Sequence, residues 1–303
     1  MAARSPFDHL THRSIAMSKP LKNKLALVTG SSRGIGAAIA IRLAAEGASV
    51  IVNYAASPKR AEEVVAQIKK EGGEAEAVQA DLGSPDGPKT LMASVDKVFG
   101  GKFAGRLDIL VNNAAIGISG PMTEIPMELL RRSFETNFFA PLALTQKIVR
   151  KLVDENRQGK VVFISSIGGL MAVPYGGPYA TTKHALEALA GSMKAELAPF
   201  GIQVQVINPG GYLTGFNESE AESATHWMDD RKNYIKRDTV QNFFHQILGT
   251  DDNRMDPQLM ADAMVKIIPE DAGLFRNVVP KATEDLARNI QRELWNEKIE
   301  IPR

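Results

Sequence analysis

The chain has 303 residues, of which 44% are hydrophobic and 23% are charged, the balance of an ordinary globular protein. The formal net charge is +1 and acidic and basic residues are interspersed, so neither nucleic acid nor a membrane is expected as a partner. No stretch approaches the roughly 18 uninterrupted apolar residues of a membrane-spanning helix. The absence of cysteine excludes disulfides, thiolate metal sites and cysteine nucleophiles.

The first 23 residues are expected to form a disordered extension. They carry several basic residues against one acidic residue, Asp8, and they show no clear amphipathic helix. A shortage of acidic residues is also typical of organelle transit peptides, which are the alternative. We favour the disordered extension and a cytoplasmic location.

Short apolar runs alternate with longer helical segments through most of the chain. The predicted strands are Leu25–Val28, Val50–Val52, Ala75–Gln79, Ile109–Val111, Val161–Ile164, Gln203–Ile207 and Leu274–Val279. The predicted helices are Ala37–Glu46, Ala61–Glu71, Pro85–Phe99, Met127–Val153, Tyr179–Phe200, Gln258–Ile268 and Glu284–Lys298. This alternation is typical of βαβ units, which build a parallel sheet covered by helices on both faces. We therefore predict an α/β fold, a single domain over residues 24–303 with a doubly wound parallel sheet.

The regular alternation breaks after Pro209. Residues 211–257 are rich in turn-forming and charged residues, with aromatic residues scattered among them: Phe216, Trp227, Tyr234, Phe243 and Phe244. We predict that this segment is a substrate-loop insertion with one or two helices. Its aromatic side chains either line a substrate pocket or only seal the loop.

A glycine-rich turn follows the first strand, with the sequence Thr29-Gly30-Ser31-Ser32-Arg33-Gly34-Ile35-Gly36. Backbone N–H groups converge at such a strand-to-helix turn and, with the helix dipole, bind a pyrophosphate. The spacing G-x-x-x-G-x-G differs from the more familiar G-x-G-x-x-G of dinucleotide sites. We predict a dinucleotide site, and the alternative is a purely structural turn.

The end of the second strand indicates which dinucleotide binds. NAD sites usually have an acidic residue there, which binds the ribose 2′-hydroxyl, but this strand ends in Val52-Asn53-Tyr54 and the next acid is Glu62. A carboxylate would repel a 2′-phosphate, so its absence permits NADP. Arg33 offers a cation, and Asn53 and Ser57 offer hydrogen-bond donors. We predict NADP(H) as the cofactor; the alternative for Arg33 is a solvated turn residue.

Ser166, Tyr179 and Lys183 form a second cluster. Tyr179 and Lys183 are four residues apart on a predicted helix, so their side chains share one face. Ser166 follows a strand, where active residues of α/β sheets collect. A nearby ammonium group lowers the tyrosine pKa from its usual value of about 10, which suits Tyr179 as a general acid–base for a carbonyl or alcohol. Ser166 would hydrogen-bond the same substrate oxygen.

In these residues and motifs, the sequence resembles the short-chain dehydrogenase/reductase family from about Lys24 to Thr214. The resemblance rests on the glycine turn, the pair Asp81-Leu82, the segment Asn112-Asn113-Ala114-Ala115, the separations of 13 and 4 residues among Ser166, Tyr179 and Lys183, and the segment from Pro209-Gly210 to Thr214. Ala115 replaces the usual glycine, a small change. The segment from Val52 to Ser57 is similar to members that prefer NADP, such as naphthol reductases and 3-oxoacyl-carrier reductases.

The resemblance implies a seven-stranded sheet in the order 3-2-1-4-5-6-7. It implies Asn137 as the fourth catalytic residue, with a proton relay from Asn137 through a water to Lys183, the ribose and Tyr179. The residues from which we expect cofactor contacts are Gly30, Ser32, Arg33, Gly34, Ile35, Gly36, Asn53, Tyr54, Ser57, Asp81, Leu82, Asn113, Tyr179, Lys183, Pro209, Gly210, Tyr212 and Thr214.

The expected activity is hydride transfer between NADPH and a ketone, an aldehyde or a secondary alcohol. One alternative is a regulatory protein that binds NADP(H) without turnover, although such a protein need not keep all four catalytic residues. A second is a dehalogenase or epimerase on the same fold, but dehalogenases typically lose the lysine and the glycine turn. The five histidines show no metal-ligand spacing, so no catalytic metal is expected.

The C-terminal part departs from the family pattern. The usual I-T-G and D-G-G elements are replaced by Leu274–Pro280 and a helix that leads to Trp295. Because those elements build part of the common tetramer, a tetramer is in doubt. We expect a homodimer through the helices near residues 128–153 and 179–200.

Overall fold

The computed structural model of the protein describes residues 19–103, 106–212, 214–248, 255–269 and 272–298. Within these residues, seven strands form one sheet: β1 Leu25–Val28, β2 Ser49–Tyr54, β3 Glu74–Gln79, β4 Ile109–Asn112, β5 Gly159–Ile164, β6 Ile202–Pro209 and β7 Arg276–Val279. Their order is β3-β2-β1-β4-β5-β6-β7, and every neighbouring pair is parallel. The predicted fold class and strand order are confirmed.

Helices cover both faces of the sheet. In the described part of the chain they are α1 Gly34–Ala45, α2 Pro58–Lys70, α3 Gly87–Val95, α4 Met127–Phe134, α5 Ala140–Asp154, α6 Gly177–Leu197, α7 Phe216–Trp227, α8 Arg237–Leu248, α9 Pro257–Ile267 and α10 Lys281–Leu294. None of these described helices combines the length and apolar character that crossing a membrane requires.

The five inner strands, β1, β2, β4, β5 and β6, are buried on both sides because their side chains alternate between two cores. Ala26 and Val28 pack in one core with residues of α1, α2 and α9. Leu25 and Leu27 pack in the other core with residues of α3, α5 and α6. This explains why the strands appear in the sequence as continuous apolar runs rather than as alternating patterns.

The sheet order also determines where a ligand can bind. The chain proceeds from β1 outward to β2 and β3, and then returns to place β4 on the other side of β1. Crossovers on opposite faces separate at this reversal and leave a crevice at the carboxyl ends of β1 and β4. The glycine turn after β1 and the segment after β4 therefore lie next to each other.

Two predicted helices differ from those observed. The segment predicted as one helix from Met127 to Val153 is divided into α4 and α5 by a π-helical turn, Glu135–Phe139. The helix predicted from Pro85 to Phe99 is shorter because Phe99 and Gly100 have positive φ angles of 53° and 62°, which an α-helix does not tolerate.

The predicted insertion contains the two helices α7 and α8, which with their connection we call the cap, residues 216–248. The cap has a small core of its own, formed by Ala221, Ala224, Met228, Val240 and Phe244. The Glu124 carboxylate fixes the connection by accepting backbone N–H bonds from Tyr234 at 2.9 Å and Ile235 at 3.2 Å. This part of the insertion is therefore a packed unit rather than an irregular loop.

The expected N-terminal extension is only partly described. Residues 1–18 lie outside the described residues. Leu21, which the sequence analysis placed in the extension, is buried, and its N–H donates to the carbonyl of Glu46 at 3.0 Å. The last residues before β1 thus pack against the C-terminal end of α1.

Candidate active site

A cavity of about 520 Å³ lies at the carboxyl edge of the sheet. Its lining runs from the glycine turn after β1 to Tyr179 and Lys183 on α6. All of the residues expected to contact the cofactor line this cavity, and so does Ser166. Asn137 does not line it. The structure thus brings the two clusters of the sequence analysis into one site.

The glycine turn leaves the N-terminus of α1 open to an anion. Gly30 and Gly34 have φ angles of 61° and 58°, which glycine adopts without strain. A Cβ on Gly36 would overlap the Asn113 side chain and lie 2.7 Å from the carbonyl oxygen of Gly30. The first turn of α1 has no acidic residue and no side-chain cap. Its N–H groups and the positive end of its dipole are therefore available to a phosphate.

The side chains of two asparagines form hydrogen bonds with the backbone of this turn. The Asn53 Oδ1 accepts the N–H of Gly30 at 3.1 Å, and its Nδ2 donates to the carbonyls of Val78 and Ala80. The Asn113 Nδ2 donates to the carbonyl of Thr29 at 2.8 Å. Asn53 was expected to donate hydrogen bonds to the cofactor, but its amide is already committed to the backbone. The structure therefore gives Asn53 a bracing role.

The charged residues of the cavity lining are predominantly cationic. Among the described residues that form it, four are cationic (Arg33, Arg60, Arg132 and Lys183) and one is acidic, Asp81. The sequence analysis missed Arg60, which lies in the first turn of α2, directly after the end of β2. Its position next to the expected 2′-phosphate end of the site was the signal that could have revealed it.

Tyr179 and Lys183 lie on successive turns of α6, and the lysine is held in a fixed position. The buried Lys183 Nζ donates to the carbonyl of Ile164, the last residue of β5, at 2.8 Å. The same nitrogen lies 5.6 Å from the centre of the Tyr179 ring. The Ser166 Oγ accepts the N–H of Gly168 at 3.0 Å and also makes a side-chain hydrogen bond with Tyr179. A phenol, a hydroxyl and an ammonium group thus meet at one end of the cavity.

Burial controls the protonation of this cluster. Burial lowers the pKa of Lys183 to about 8, although the carboxylates of Glu187 and Glu220 act in the opposite direction. Burial also raises the pKa of Tyr179 above its usual value, and Glu220 adds to this effect, while the hydrogen bond with Ser166 opposes it. Loss of hydration is thus the largest influence on this pKa in the structure, and the lowering expected from the Lys183 ammonium group stays a prediction.

Asn137 lies outside the cavity lining. It lies in the π-helical turn between α4 and α5, a feature often found at functional sites. Its Oδ1 accepts the N–H of Ile116 at 2.8 Å. Its Nδ2 donates to the carbonyl of Ile116 at 2.9 Å and to the hydroxyl of Thr182 at 3.0 Å. One side chain thereby links the segment after β4 to the residue that precedes Lys183.

The sequence analysis missed a buried acidic residue of the cap, Glu220, which does not line the cavity but influences its catalytic end. Glu220 of α7 is 9% exposed and interacts electrostatically with both Tyr179 and Lys183. Burial raises its pKa to about 8, which the positive charge of Lys183 opposes. No sequence signal distinguishes Glu220 from the neighbouring Glu218 and Glu222.

Replacing Gly36 by alanine should destabilise the protein by about 1–3 kcal/mol, because the new methyl group overlaps backbone and a bracing side chain. Gly191 provides the matched control, since a Cβ there meets nothing within 4 Å. Gly191→Ala lies inside α6 and should stabilise the protein by up to about 1 kcal/mol. Urea unfolding of both variants measures the difference. Equal effects of the two substitutions would contradict the described packing.

Replacing Glu220 by glutamine should stabilise the protein more at pH 7 than at pH 5. The native state retains the Glu220 proton up to about pH 8, whereas the unfolded chain loses it at the ordinary glutamate pKa. Wild-type stability therefore falls as the pH rises between these values, by on the order of 1 kcal/mol per pH unit. Urea unfolding across this range, with Glu222→Gln on the exposed side of α7 as the control, measures the effect. A stability difference independent of pH would show that Glu220 ionises normally.

The sequence was compared with those of known proteins and families. The family described as short chain dehydrogenase matches residues 24–225. An uncharacterized oxidoreductase of Methylorubrum extorquens is 41% identical over 198 residues, which are 65% of this chain and 76% of that protein. A 3-oxoacyl-[acyl-carrier-protein] reductase of Synechocystis sp. is 37% identical over 199 residues, 66% of this chain and 78% of that protein.

A solved structure is similar over a larger part of the chain. The angucycline C-6 ketoreductase LanV with bound NADP has a TM-score of 0.68 and 31% identity, and the match covers 86% of this chain and 94% of that one. The strand order of the sheet agrees with these similarities. The chain belongs to the short chain dehydrogenase family.

Proposed function

We propose that this protein is an NADP(H)-dependent oxidoreductase that transfers hydride between the nicotinamide and a ketone, aldehyde or secondary alcohol. One observation carries the proposal: a single cavity joins the open N-terminus of α1 and the cations Arg33 and Arg60 to Tyr179, Ser166 and Lys183. The NADP bound to the ketoreductase LanV supports the choice of cofactor.

The residues present fit a dinucleotide. The backbone of the glycine turn would hold the pyrophosphate, since a side chain on Gly36 would close the turn. Arg33, Arg60 and Ser57 would bind the 2′-phosphate, beside Tyr54 at the end of β2. Asp81 and Leu82 would contact the adenine. The residues expected at the nicotinamide end are Pro209, Gly210, Tyr212 and Thr214.

When bound, the nicotinamide would supply the hydride to a carbonyl carbon or accept it from an alcohol. The Tyr179 phenol would give its proton to the carbonyl oxygen as negative charge develops there, or take it from the alcohol in the reverse direction. The Ser166 hydroxyl would donate a hydrogen bond to the same oxygen. The Lys183 ammonium, fixed by Ile164, would stabilise the phenolate that remains. Asn137 would be the start of the proton relay to Lys183 and Tyr179.

Tyr179→Phe should retain NADPH binding and lose turnover by about 100-fold or more, because it removes the general acid and leaves the ring in place. The rate of NADPH oxidation with a panel of ketones, quinones and aldehydes measures turnover, and fluorescence titration measures cofactor binding. Tyr175→Phe is the control, since Tyr175 packs against Phe243 in the cap and lies outside the cavity lining. Turnover at the wild-type rate in Tyr179→Phe would refute the assignment.

The wild-type protein should prefer NADPH to NADH, and replacing both Arg33 and Arg60 by glutamine should lower that preference by about 10- to 100-fold. A change of this size corresponds to the usual free energy of hydrogen bonds to a charged group. The ratio of kcat/KM for the two cofactors is the measurement. Lys59→Gln is the control, because Lys59 is an exposed cation next to Arg60 that does not line the cavity. Equal use of NADH by the wild-type protein would contradict the prediction.

The alternative of a regulatory protein that binds NADP(H) without turnover is tested by the same panel. Tight NADPH binding with no oxidation by any carbonyl compound would favour it. The presence of Ser166, Tyr179 and Lys183 at one end of the cavity favours the enzyme, since binding alone does not need them. The homodimer and the cytoplasmic location stay predictions.

A further inference from the structure

Asn208, the last residue but one of β6, binds the backbone of Ser166. The backbone pairing of β5 with β6 ends at Ile164 and Ile207, and the N–H of Ser165 donates to the carbonyl of Ile207 at 2.8 Å. Beyond this point the contact is made by a side chain, because the Asn208 Nδ2 donates to the carbonyl of Ser166 at 2.9 Å. Asn208 therefore extends the attachment to β6 as far as Ser166.

The second N–H of the same amide joins this contact to the helix that carries Tyr179 and Lys183. The Asn208 Nδ2 also donates to the Glu187 Oε1 at 2.6 Å. Glu187 lies four residues after Lys183 on α6, so the two side chains share one face of that helix. One amide group thus connects the loop that carries Ser166 to the face of α6 that carries the lysine.

The orientation of this amide is fixed by its surroundings. The Arg276 guanidinium of β7 donates to the Glu187 Oε2 at 2.8 Å and 3.1 Å, so each oxygen of the carboxylate has its own partner. Asn208 is fully buried, and both groups that its Nδ2 binds are hydrogen-bond acceptors. Its Oδ1 has no hydrogen-bond partner among the described residues. The amide therefore acts through its two N–H groups.

Gln205, on the same strand, provides a comparison. It is almost as buried as Asn208, and its amide also donates to a backbone carbonyl, that of Leu274, at 3.2 Å. Leu274 precedes β7, whereas Ser166 follows β5, so the two amides act at opposite edges of the parallel sheet. Ser166 lines the cavity and Leu274 does not. Only the amide of Asn208 is thus connected to the site.

We propose that Asn208 is a positioning residue, which sets the place of the Ser166 hydroxyl relative to Tyr179. The inference rests on the proposed function, in which Ser166 and Tyr179 contact the same substrate oxygen. Asn208 holds the carbonyl of Ser166, and the N–H of Gly168 binds its hydroxyl. Two groups that share one oxygen need accurate alignment, since a displacement of about 1 Å can lower a rate by about 100-fold.

The first test is a double-mutant cycle with Asn208→Leu and Ser166→Ala. Leucine fills the space of asparagine but lacks the N–H donors. With Ser166 present, Asn208→Leu should lower kcat for the fastest ketone of the panel by about 10- to 100-fold and leave the Kd of NADPH nearly unchanged. In the Ser166→Ala background the same substitution should cost less than about 3-fold, because the hydroxyl that Asn208 positions is already missing. Gln205→Leu is the control and should leave kcat unchanged.

Two substitutions of Glu187 separate positioning from charge. Glu187→Leu removes the acceptor of the second N–H of Asn208 and should lower kcat. Glu187→Gln keeps an oxygen that accepts from Asn208 and should lower kcat clearly less, and this difference should disappear in the Ser166→Ala background. Both variants remove the negative charge that acts on Lys183, so a purely electrostatic role would give them the same kcat and the same pH profile. If thermal unfolding shows that Asn208→Leu does not fold, this pair decides the inference.

A crystal structure of Asn208→Leu, or of Glu187→Leu if the former does not fold, gives a readout independent of turnover. The Ser166 hydroxyl should move by more than about 0.5 Å relative to Tyr179, the tolerance of a productive arrangement. An unchanged position of Ser166, or an equal loss of kcat with and without its hydroxyl, would overturn the inference. Absence of turnover by the wild-type protein with every compound of the panel would count against the proposed function instead, and the crystal structure would then decide the inference.

Discussion

The site depends on the hydrogen bonds that join the ends of β1 and β4. The Thr29 hydroxyl accepts the N–H groups of Asn113 at 2.9 Å and Ala114 at 3.0 Å, while the Asn113 side chain returns a hydrogen bond to the carbonyl of Thr29. These bonds lie where the chain, after forming β3 at one edge of the sheet, continues with β4 on the other side of β1. They fix the glycine turn relative to the segment that carries Ile116 and Gly117. Both the expected cofactor end and the substrate end are positioned from this junction.

Three buried charged residues of this region, Lys183, Glu187 and Glu220, are linked electrostatically through Lys183. Lys183 is buried, and both Glu187, one turn further along α6, and Glu220 of α7 influence it electrostatically. Glu187 is already neutralised by Arg276, whose guanidinium donates to Glu187 at 2.8 Å and 3.1 Å, and it also accepts from Asn208 at 2.6 Å. Glu220 has no comparable partner. The two acidic residues thus differ although both influence Lys183: Glu187 connects α6 to β6 and β7, and Glu220 belongs to α7 of the cap.

Much of the fold followed from the sequence because the physical signals are local. The strands are short apolar runs buried on both faces, and the helices end at glycines such as Gly47, with a φ angle of 99°. The order of the strands came from the family resemblance rather than from periodicity. The cavity-lining residues were likewise found through motifs whose spacing places them at strand ends.

The features that sequence analysis missed depend on contacts between distant segments. The π-helical turn cannot be seen in a helical pattern, because it depends on Asn137 binding Ile116 some 21 residues away. The bracing role of Asn53 depends on the carbonyls of β3 and the residue after it. The raised pKa of Tyr179 depends first on its burial and then on Glu220, 41 residues later in the chain. Each requires the tertiary structure.

The cap core is separate from the two sheet cores. The glycine turn, Ser166, Tyr179 and Lys183 all lie on elements whose apolar residues belong to the sheet cores. Phe216 and Glu220 lie on a helix whose buried residues belong to the cap core, and the cap contacts the rest of the protein through Ser119 and Glu124 and through aromatic contacts such as that of Phe216 with Tyr179. The cap nevertheless reaches Tyr179, because the Phe216 ring packs against the Tyr179 ring. The family motifs lie on the elements of the sheet cores, whereas the cap carries none of them.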